Sequence, residues 1–156
     1  MKKAILFIVS ILFIGIIAEA QVPKEIVEKS WVGLSEQPAS FTKSGKVQLR
    51  QTLKLTLNSD NSVYGTSTTR MTLDGINYHC TATVSGTFNK SNWSVYIKDG
   101  TQSSSEKLPN DLKWCKGWGT LTFYTNKTYP GYYLLKGDIT DDCGGKSLME
   151  LSDRPQ

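Results

Sequence analysis

Residues 48–75 read QLRQTLKLTLNSDNSVYGTSTTRMTLDG, and this stretch decides the fold class. In Gln48–Leu57, leucines alternate with polar residues, which is the period-two pattern of a strand with one buried face. Ser59–Ser62 is a turn, Val63–Leu73 resumes the strand pattern, and Asp74-Gly75 is a strong hairpin signal. The stretch therefore predicts consecutive antiparallel strands joined by tight turns.

The same signals continue over the rest of the chain and predict eight strands in all. These are expected at Lys29–Ser35, Gln48–Leu57, Val63–Leu73, Tyr78–Phe88, Trp93–Lys98, Leu112–Tyr124, Tyr132–Thr140 and Lys146–Ser152. A brief helix is expected at Val22–Lys29. Eight antiparallel strands in sequential order can close into a barrel that leaves no free edge. We therefore predict an all-β protein with an eight-stranded antiparallel up-and-down β-barrel, with an open β-sandwich as the alternative.

The first 20 residues have the features of a secretory signal peptide. Lys2 and Lys3 precede the apolar run Ala4–Ala18, and Ala18-Glu19-Ala20 is typical of a cleavage site. We expect residues 1–20 to be removed and residues 21–156 to form a single β-barrel domain, either secreted or periplasmic. The predicted mature chain has no second apolar stretch of membrane length, so no membrane span is expected in it.

The connections of such a meander alternate between the two ends of the barrel. Tight turns at Ser59–Ser62 and Asn89–Asn92 fall at one end, and long connections at Glu36–Gly45 and Asp99–Asp111 fall at the other. Long loops at one end of a barrel are the usual place for a ligand mouth. The alternative is that these loops are merely tolerated insertions.

The three cysteines are Cys80, Cys115 and Cys143. When the sixth and seventh strands are paired about residue 128, Cys115 lies opposite residue 141, two positions from Cys143. An oxidising compartment favours pairing, so we predict a Cys115–Cys143 disulfide. Cys80 is then expected to be a buried thiol; a redox thiol, an intermolecular bridge and a Cys80–Cys115 pairing are the alternatives.

Several short motifs carry a resemblance to a known group of proteins. They are Trp31 with Gly33, then Trp114-Cys115, Gly117-x-Gly119-Thr120-Leu121-Thr122, Gly137, Cys143 and Leu151. In this respect the chain resembles small secreted lipocalin-like proteins of Bacteroidetes-type bacteria, which implies a barrel of the lipocalin and streptavidin type. Because the biotin-binding pattern of the avidins is missing, the resemblance implies a fold and no particular ligand.

Strand periodicity also selects candidate ligand-binding residues. Small residues expected to face inward either leave room for a cavity or let the walls approach closely. Trp114 and Trp118 are expected on the outer wall, either as a stacking surface for a glycan or protein partner or covered by another segment. The candidates are Gly65, Ser67, Thr69, Gly117, Gly119, Trp114 and Trp118.

The sequence carries no recognisable catalytic or metal-binding motif. His79 is the only histidine and is expected on the face opposite to Cys80, which argues against a metal or Cys–His site. Asp141-Asp142 is expected to be an acidic turn rather than a calcium loop. The formal net charge is +4 and the basic residues are scattered, so no nucleic-acid partner is expected.

We therefore predict a secreted binding protein with no enzymatic activity and no cofactor. Its expected partner is a small apolar molecule held in the barrel mouth. The alternative is an interaction module that uses the outer aromatic face against a glycan or an envelope protein.

Overall fold

The computed structural model of the protein describes residues 24–38, 45–73, 75–104, 107–109 and 112–155. The predicted signal peptide and residues 39–44 of the predicted long connection lie outside these ranges. The elements are α1 (Lys24–Val27), β1 (Ser30–Pro38), β2 (Lys46–Leu57), β3 (Ser62–Leu73), β4 (Ile76–Asn89), β5 (Ser94–Ser104), β6 (Gly117–Thr125), β7 (Tyr133–Asp141) and β8 (Lys146–Ser152).

The eight strands form one closed antiparallel barrel in sequential order. Each strand pairs with the next along the chain, and β8 returns to β1 through the pair Val32 and Ser152. The predicted up-and-down barrel is therefore confirmed, and the open sandwich is excluded. Closure satisfies the backbone groups that an open sheet would leave at its edges.

One departure from the predicted strands is at the start of β6. This strand begins at Gly117, so residues 112–116 precede it, although the sequence predicts a strand from Leu112. The apolar alternation of Leu112 and Trp114 has another cause, because both side chains pack into an apolar cluster at one end of the barrel.

The end of the barrel with the tight turns is filled by side chains. The short helix α1 inserts Ile26 and Val27 into the core beside Trp31, which is fully buried. The Trp31 indole Nε1 donates a hydrogen bond to the Val27 carbonyl oxygen at 3.3 Å, and its ring packs edge-on against Phe123. We call this the closed end.

The first and last strands are also joined at the closed end by an ion pair between a buried carboxylate and a partly exposed lysine. The Asp153 side chain is only 2% exposed and contacts the ammonium group of Lys29. Its Oδ1 accepts a hydrogen bond from the Tyr133 backbone N–H at 2.7 Å. Because β1 and β8 share the single registered pair Val32 and Ser152, these polar contacts reinforce the seam of the barrel.

A second apolar cluster lies at the opposite end, which we call the open end. It combines residues from β2, β3 and β4 with Leu108 from the connection between β5 and β6. Its buried members are Val47, Leu49, Met71, Leu73, Tyr78 and Leu108. Within the described residues, none of the helical structure has the length and apolar character needed to cross a membrane.

Candidate functional site

A cavity of about 270 Å³ lies inside the barrel, between the closed-end core and the apolar cluster of the open end. Its wall combines apolar side chains, with Leu53, Ile97 and Ile139 among them, with a nearly equal share of polar surface. Protein interiors are normally packed to the density of organic crystals, with few voids larger than a water molecule. A cavity of this size is therefore a distinctive feature of the molecule.

The cavity exists because the middle of the barrel is lined by small and polar residues. Strand register places Gln51 of β2 opposite Thr69 of β3, and Leu53 opposite Ser67. These inward-facing side chains line the cavity without filling it. At the closed end, the corresponding positions on the same strands carry Leu55 and Val63, which are buried in the core.

The segment of residues 107–116, described except for residues 110 and 111, reaches across the open end and roofs the cavity. Leu108, Leu112 and Trp114 line the cavity and pack against the cluster on β2, β3 and β4. The Leu112 N–H donates to the Pro109 carbonyl oxygen at 3.1 Å. The indole Nε1 of Trp114 is buried and has no hydrogen-bond partner among the described residues.

The far end of the roof is anchored to the turn between β7 and β8. Cys115 and Cys143 form the predicted disulfide, with their Cα atoms 5.8 Å apart. Beside it, the Lys116 N–H donates to Asp142 Oδ1 at 2.9 Å, and the Asp142 N–H donates to the Lys116 carbonyl oxygen at 3.0 Å. The prediction that this bridge would tie β6 to the end of β7 is confirmed.

Two carboxylates lie in the cavity wall on either side of Gly117. Asp99 of β5 accepts a hydrogen bond from the Gly117 N–H through Oδ2 at 2.9 Å, and Gly117 pairs with Asp141 of β7. Asp141 Oδ1 accepts from the N–H groups of Cys143 and Gly145, at 2.9 and 2.8 Å, so it is committed to the turn that follows.

Burial is the main influence on the Asp99 carboxyl and raises its pKa. The hydrogen bond from Gly117 acts in the opposite direction. The nearby charges of Asp142 and Lys116 have smaller effects, of opposite sign to each other. Asp99 is thus a carboxyl group in the cavity wall that is less easily ionised than one in water.

Cys80 is the one cysteine outside the disulfide, and it is buried in the barrel interior. Burial, and secondarily the charge of Asp99, raise the pKa of its thiol. A raised pKa disfavours the thiolate, which is the reactive form. This environment agrees with the expectation of a buried thiol that acts as a small apolar side chain.

The structure divides the predicted candidate residues into two groups. Ser67, Thr69, Gly117 and Trp114 lie in the cavity wall. Gly65, Gly119 and Trp118 do not line the cavity. Trp114 was expected on the outer wall, and this placement is wrong because residue 114 precedes the strand and turns inward with the roof.

The two glycines outside the cavity wall allow close approach of neighbouring strands. A Cβ atom at Gly65 would lie 1.9 Å from the Lys54 carbonyl oxygen, and one at Gly119 would lie 2.1 Å from that of Asp138. Of the two roles predicted for small inward residues, Gly65 and Gly119 therefore have the second, which is to let the walls of the barrel approach closely. Trp118 is half-buried on the outer face, between Lys98 and Thr140 on the adjacent strands.

Sequence reasoning missed Asp99 and Gln51 as cavity residues. Extending the alternation of Val95 and Ile97 by one step would have placed Asp99 inside, but the predicted fifth strand ended at Lys98. In the structure β5 continues to Ser104, with an irregularity opposite Thr83 just after Asp99. Strand irregularities of this kind redirect side chains and often occur near functional sites.

A cluster of potential metal ligands lies at the disulfide. The one group of three potential metal ligands among the described residues is Cys115, Asp142 and Cys143, and its two sulfur atoms are joined in the disulfide. His79 is exposed between the buried residues Tyr78 and Cys80, as its predicted outward orientation requires.

A second depression, of about 460 Å³, lies on the outside of the barrel. It is lined by side chains that include Leu34, Arg50, Arg70 and His79. These four residues form one row across β1 to β4, since Leu34 pairs with Arg50, Arg50 with Arg70, and Arg70 with His79. This depression is part of the sheet surface, whereas the cavity belongs to the barrel interior.

Comparisons with protein-family models, with curated proteins and with solved structures found no match. The resemblance to lipocalin-like proteins therefore stays a prediction, and the functional argument depends on the cavity itself.

Proposed function

We propose that the protein is an exported binding protein that holds a small, largely apolar molecule in the cavity at the open end of its barrel. The observation that carries this proposal is the cavity beneath the roof, whose wall combines apolar side chains with polar groups. Ligand sites are typically concave and apolar, with a few polar groups that fix orientation, and barrel mouths are a common place for them. Export is supported by the predicted signal peptide and by the disulfide, because disulfides persist in oxidising compartments.

The cavity volume limits the size of the ligand. An engineered protein cavity of about 150 Å³ holds one benzene molecule, so the 270 Å³ here suits a molecule of about ten non-hydrogen atoms. Gln51, Ser67 and Thr69 supply polar groups on one side of the cavity, and Asp99 supplies a carboxylate. The ligand is therefore a compact molecule with an apolar body and a polar group.

We propose binding rather than catalysis because of the position of the only histidine. His79 lies on the outer surface, away from the carboxylates and hydroxyl groups of the cavity wall. A serine in the cavity wall thus has no histidine base within the same site. The proposed alternative, a glycan- or protein-binding face formed by both tryptophans, is not favoured, since Trp114 packs into the roof and only Trp118 remains on the outer face.

Two soluble alcohols, 2-phenylethanol and 1-octanol, are suitable probes of the cavity. Binding can be followed by the chemical shifts of the tryptophan indole N–H groups, because Trp114 lies in the wall. In Ser67→Phe, a ring enters the cavity and we expect affinity to fall at least about tenfold, which corresponds to the transfer of a few buried methylene groups. Thr66→Phe is the matched control, because residue 66 is exposed on the outer face of the same strand.

Retained binding in Ser67→Phe would place the ligand elsewhere. Failure of both alcohols to bind the parent protein would refute the proposal. Both variants require a circular dichroism spectrum like that of the parent, so that loss of binding is not confused with loss of fold. Native mass spectrometry of the protein purified from its source would then identify the natural ligand by mass.

A further inference from the structure

We propose that the ligand of this cavity carries a positively charged amino group, which binds the free oxygen of Asp99. This inference rests on the proposed function of the cavity and specifies the chemical class of its ligand. It is carried by the position of Asp99, by the hydrogen bonding of its two oxygen atoms, and by the placement of the charges around it.

Asp99 is directed into the cavity by its strand. Val95 and Ile97 precede it on β5 with buried, inward-facing side chains, and Asp99 continues this alternation as a half-buried residue of the cavity wall. Just after it, β5 gains a residue relative to β4, since Val84 pairs with Asp99 but Ala82 pairs with Gln102. Asp99 is thus the last inward residue before the irregularity.

The two oxygen atoms of Asp99 have different environments. Oδ2 accepts the hydrogen bond from the Gly117 N–H. Among the described residues, Oδ1 accepts no hydrogen bond and Asp99 takes part in no ion pair. Among the described residues, Trp114 Nε1 is the one fully buried side-chain polar atom without a partner, so Oδ1 keeps some exposed surface, and Asp99 lies in the cavity wall. A group in the cavity can therefore reach it.

The other carboxylates nearby are bound to backbone groups through Oδ1. Asp141 Oδ1 accepts two backbone N–H groups of the turn between β7 and β8, and Asp142 Oδ1 accepts from the Lys116 N–H. Both carboxylates are thus held by this turn, whereas Asp99 lies on β5. Two lysines lie near Asp99, and both are exposed: Lys116 follows the disulfide, and Lys113 lies at the rim of the cavity. On the neighbouring strand β4, the nearby titratable group is the Cys80 thiol. Gly117 has no side chain to fill the space between Asp99 and Asp141.

A carboxylate that is partly withdrawn from water is costly unless a cation or several hydrogen bonds compensate it, and Asp99 is half-buried. The hydrogen bond to Gly117 could be made equally by an amide oxygen, so it does not explain why this position carries a carboxyl group. A ligand ammonium group on Oδ1 would supply the missing compensation by a charge-assisted hydrogen bond. A metal ion fits less well, because Asp99 is not part of a cluster of three potential ligands in the described structure.

The test compares three probes of similar size and shape that differ in charge. They are 2-phenylethylamine, 2-phenylethanol and phenylacetate, which carry an ammonium, a hydroxyl and a carboxylate group. At neutral pH and low salt we expect the amine to bind the parent protein about tenfold more tightly than the alcohol, and phenylacetate to bind most weakly. This comparison needs only the parent protein, so it does not depend on the folding of a variant.

Asp99→Asn supplies the second arm of the test. Its amide oxygen can still accept from the Gly117 N–H, while the negative charge is removed. We expect the ratio of amine to alcohol affinity to fall to about one in this variant, a loss equal to the charge-assisted part of the interaction. Asp138→Asn is the matched control, because Asp138 is exposed on the outer face of β7 and its removal changes the net charge equally.

The outcomes separate this inference from the proposed function. Equal affinity for the amine and the alcohol in the parent protein, or an amine preference that survives in Asp99→Asn, would overturn the inference and leave the cavity as a binding site. If Asp138→Asn abolished the preference for the amine as fully as Asp99→Asn does, the preference would be an effect of net charge. This result would also overturn the inference. Failure of all three probes to bind would refute the proposed function itself.

Discussion

Gly119 and Gly117 lie two residues apart on β6 and both face inward, yet their surroundings differ. A Cβ atom at Gly119 would lie 2.1 Å from the Asp138 backbone oxygen, whereas one at Gly117 would lie 2.9 Å from the Ile139 side-chain Cγ2. Backbone cannot move aside without distorting the β6–β7 pairing, but a side chain can change rotamer. We therefore expect Gly119→Ala to lower the free energy of unfolding by about 1–3 kcal/mol.

Gly117→Ala is the internal control for this prediction. The new methyl group meets Cγ2 of the buried Ile139 side chain instead of backbone, and the lower entropy of the unfolded chain offsets part of the cost, so we expect a smaller loss of stability than in Gly119→Ala. Urea denaturation followed by circular dichroism measures both variants. Equal destabilisation by the two substitutions would show that the close strand approach at Gly119 is not the deciding factor.

At the same scale, strand periodicity could assign Gly65, Ser67 and Gly119 to the barrel interior but could not separate their roles. Whether a small inward residue borders a void or admits a neighbouring strand depends on the coiling of that neighbour. Ser67 borders the cavity, whereas Gly65 and Gly119 admit backbone. The outward orientation predicted for Trp114 failed for a different reason. Alternate residues face opposite sides only within a strand, and residue 114 lies before the start of β6.

Among the elements, β1 and β8 form the seam of the barrel, and the Lys29–Asp153 ion pair lies beside it. Asp153 is the buried partner, whereas Lys29 is partly exposed and can be hydrated when its partner is removed. Asp153→Ala removes the carboxylate and also leaves the Tyr133 N–H without its acceptor. We expect this variant to lose about 1–3 kcal/mol in the free energy of unfolding, chiefly from the unsatisfied N–H group.

The Lys136–Glu150 pair provides the comparison, since it joins adjacent strands β7 and β8 on the outer face with a separation of 2.8 Å. Both of its side chains are substantially exposed, and such pairs contribute about 0–1 kcal/mol. Glu150→Ala should therefore be close to the parent in urea denaturation. Similar losses in both variants would mean that burial of Asp153 does not strengthen its contacts.

The sequence predicted the existence and order of all eight strands, since leucine alternation and turns such as Asp74-Gly75 are local signals. It did not predict the seam contacts, because Lys29 and Asp153 are separated by almost the whole chain and pair only when the barrel closes. The Cys115–Cys143 disulfide was predictable despite its separation of 28 residues, because the register of two neighbouring strands brings the cysteines together.

For the whole molecule, Asp99 makes stability depend on pH in an unusual direction for an acidic group. Because burial raises the pKa of Asp99, the folded state binds its proton more tightly than the unfolded state does. The stability that this group contributes is present below its unfolded pKa of about 3.9 and is lost as the pH rises through the higher folded pKa. Asp99→Asn has no such dependence.

We therefore expect the stability of the parent relative to Asp99→Asn to decrease as the pH rises through the acid range. Asp60, whose pKa is lowered by hydrogen bonds from Ser62, acts in the opposite direction, but it is common to both proteins and cancels in the difference. Thermal unfolding of the two proteins at a series of pH values measures this. A constant difference across the range would contradict the prediction.

The seam also fixes where the two ends of the barrel chain emerge. Lys29 and Asp153 are in contact at the closed end, while the roof and the cavity lie at the other end. A peptide linker of a few residues could therefore join the two ends without crossing the mouth. Equally, a protein tethered to a solid support through residues after Asp153 would present its cavity towards the solution, which makes this end the natural attachment point for a biosensor.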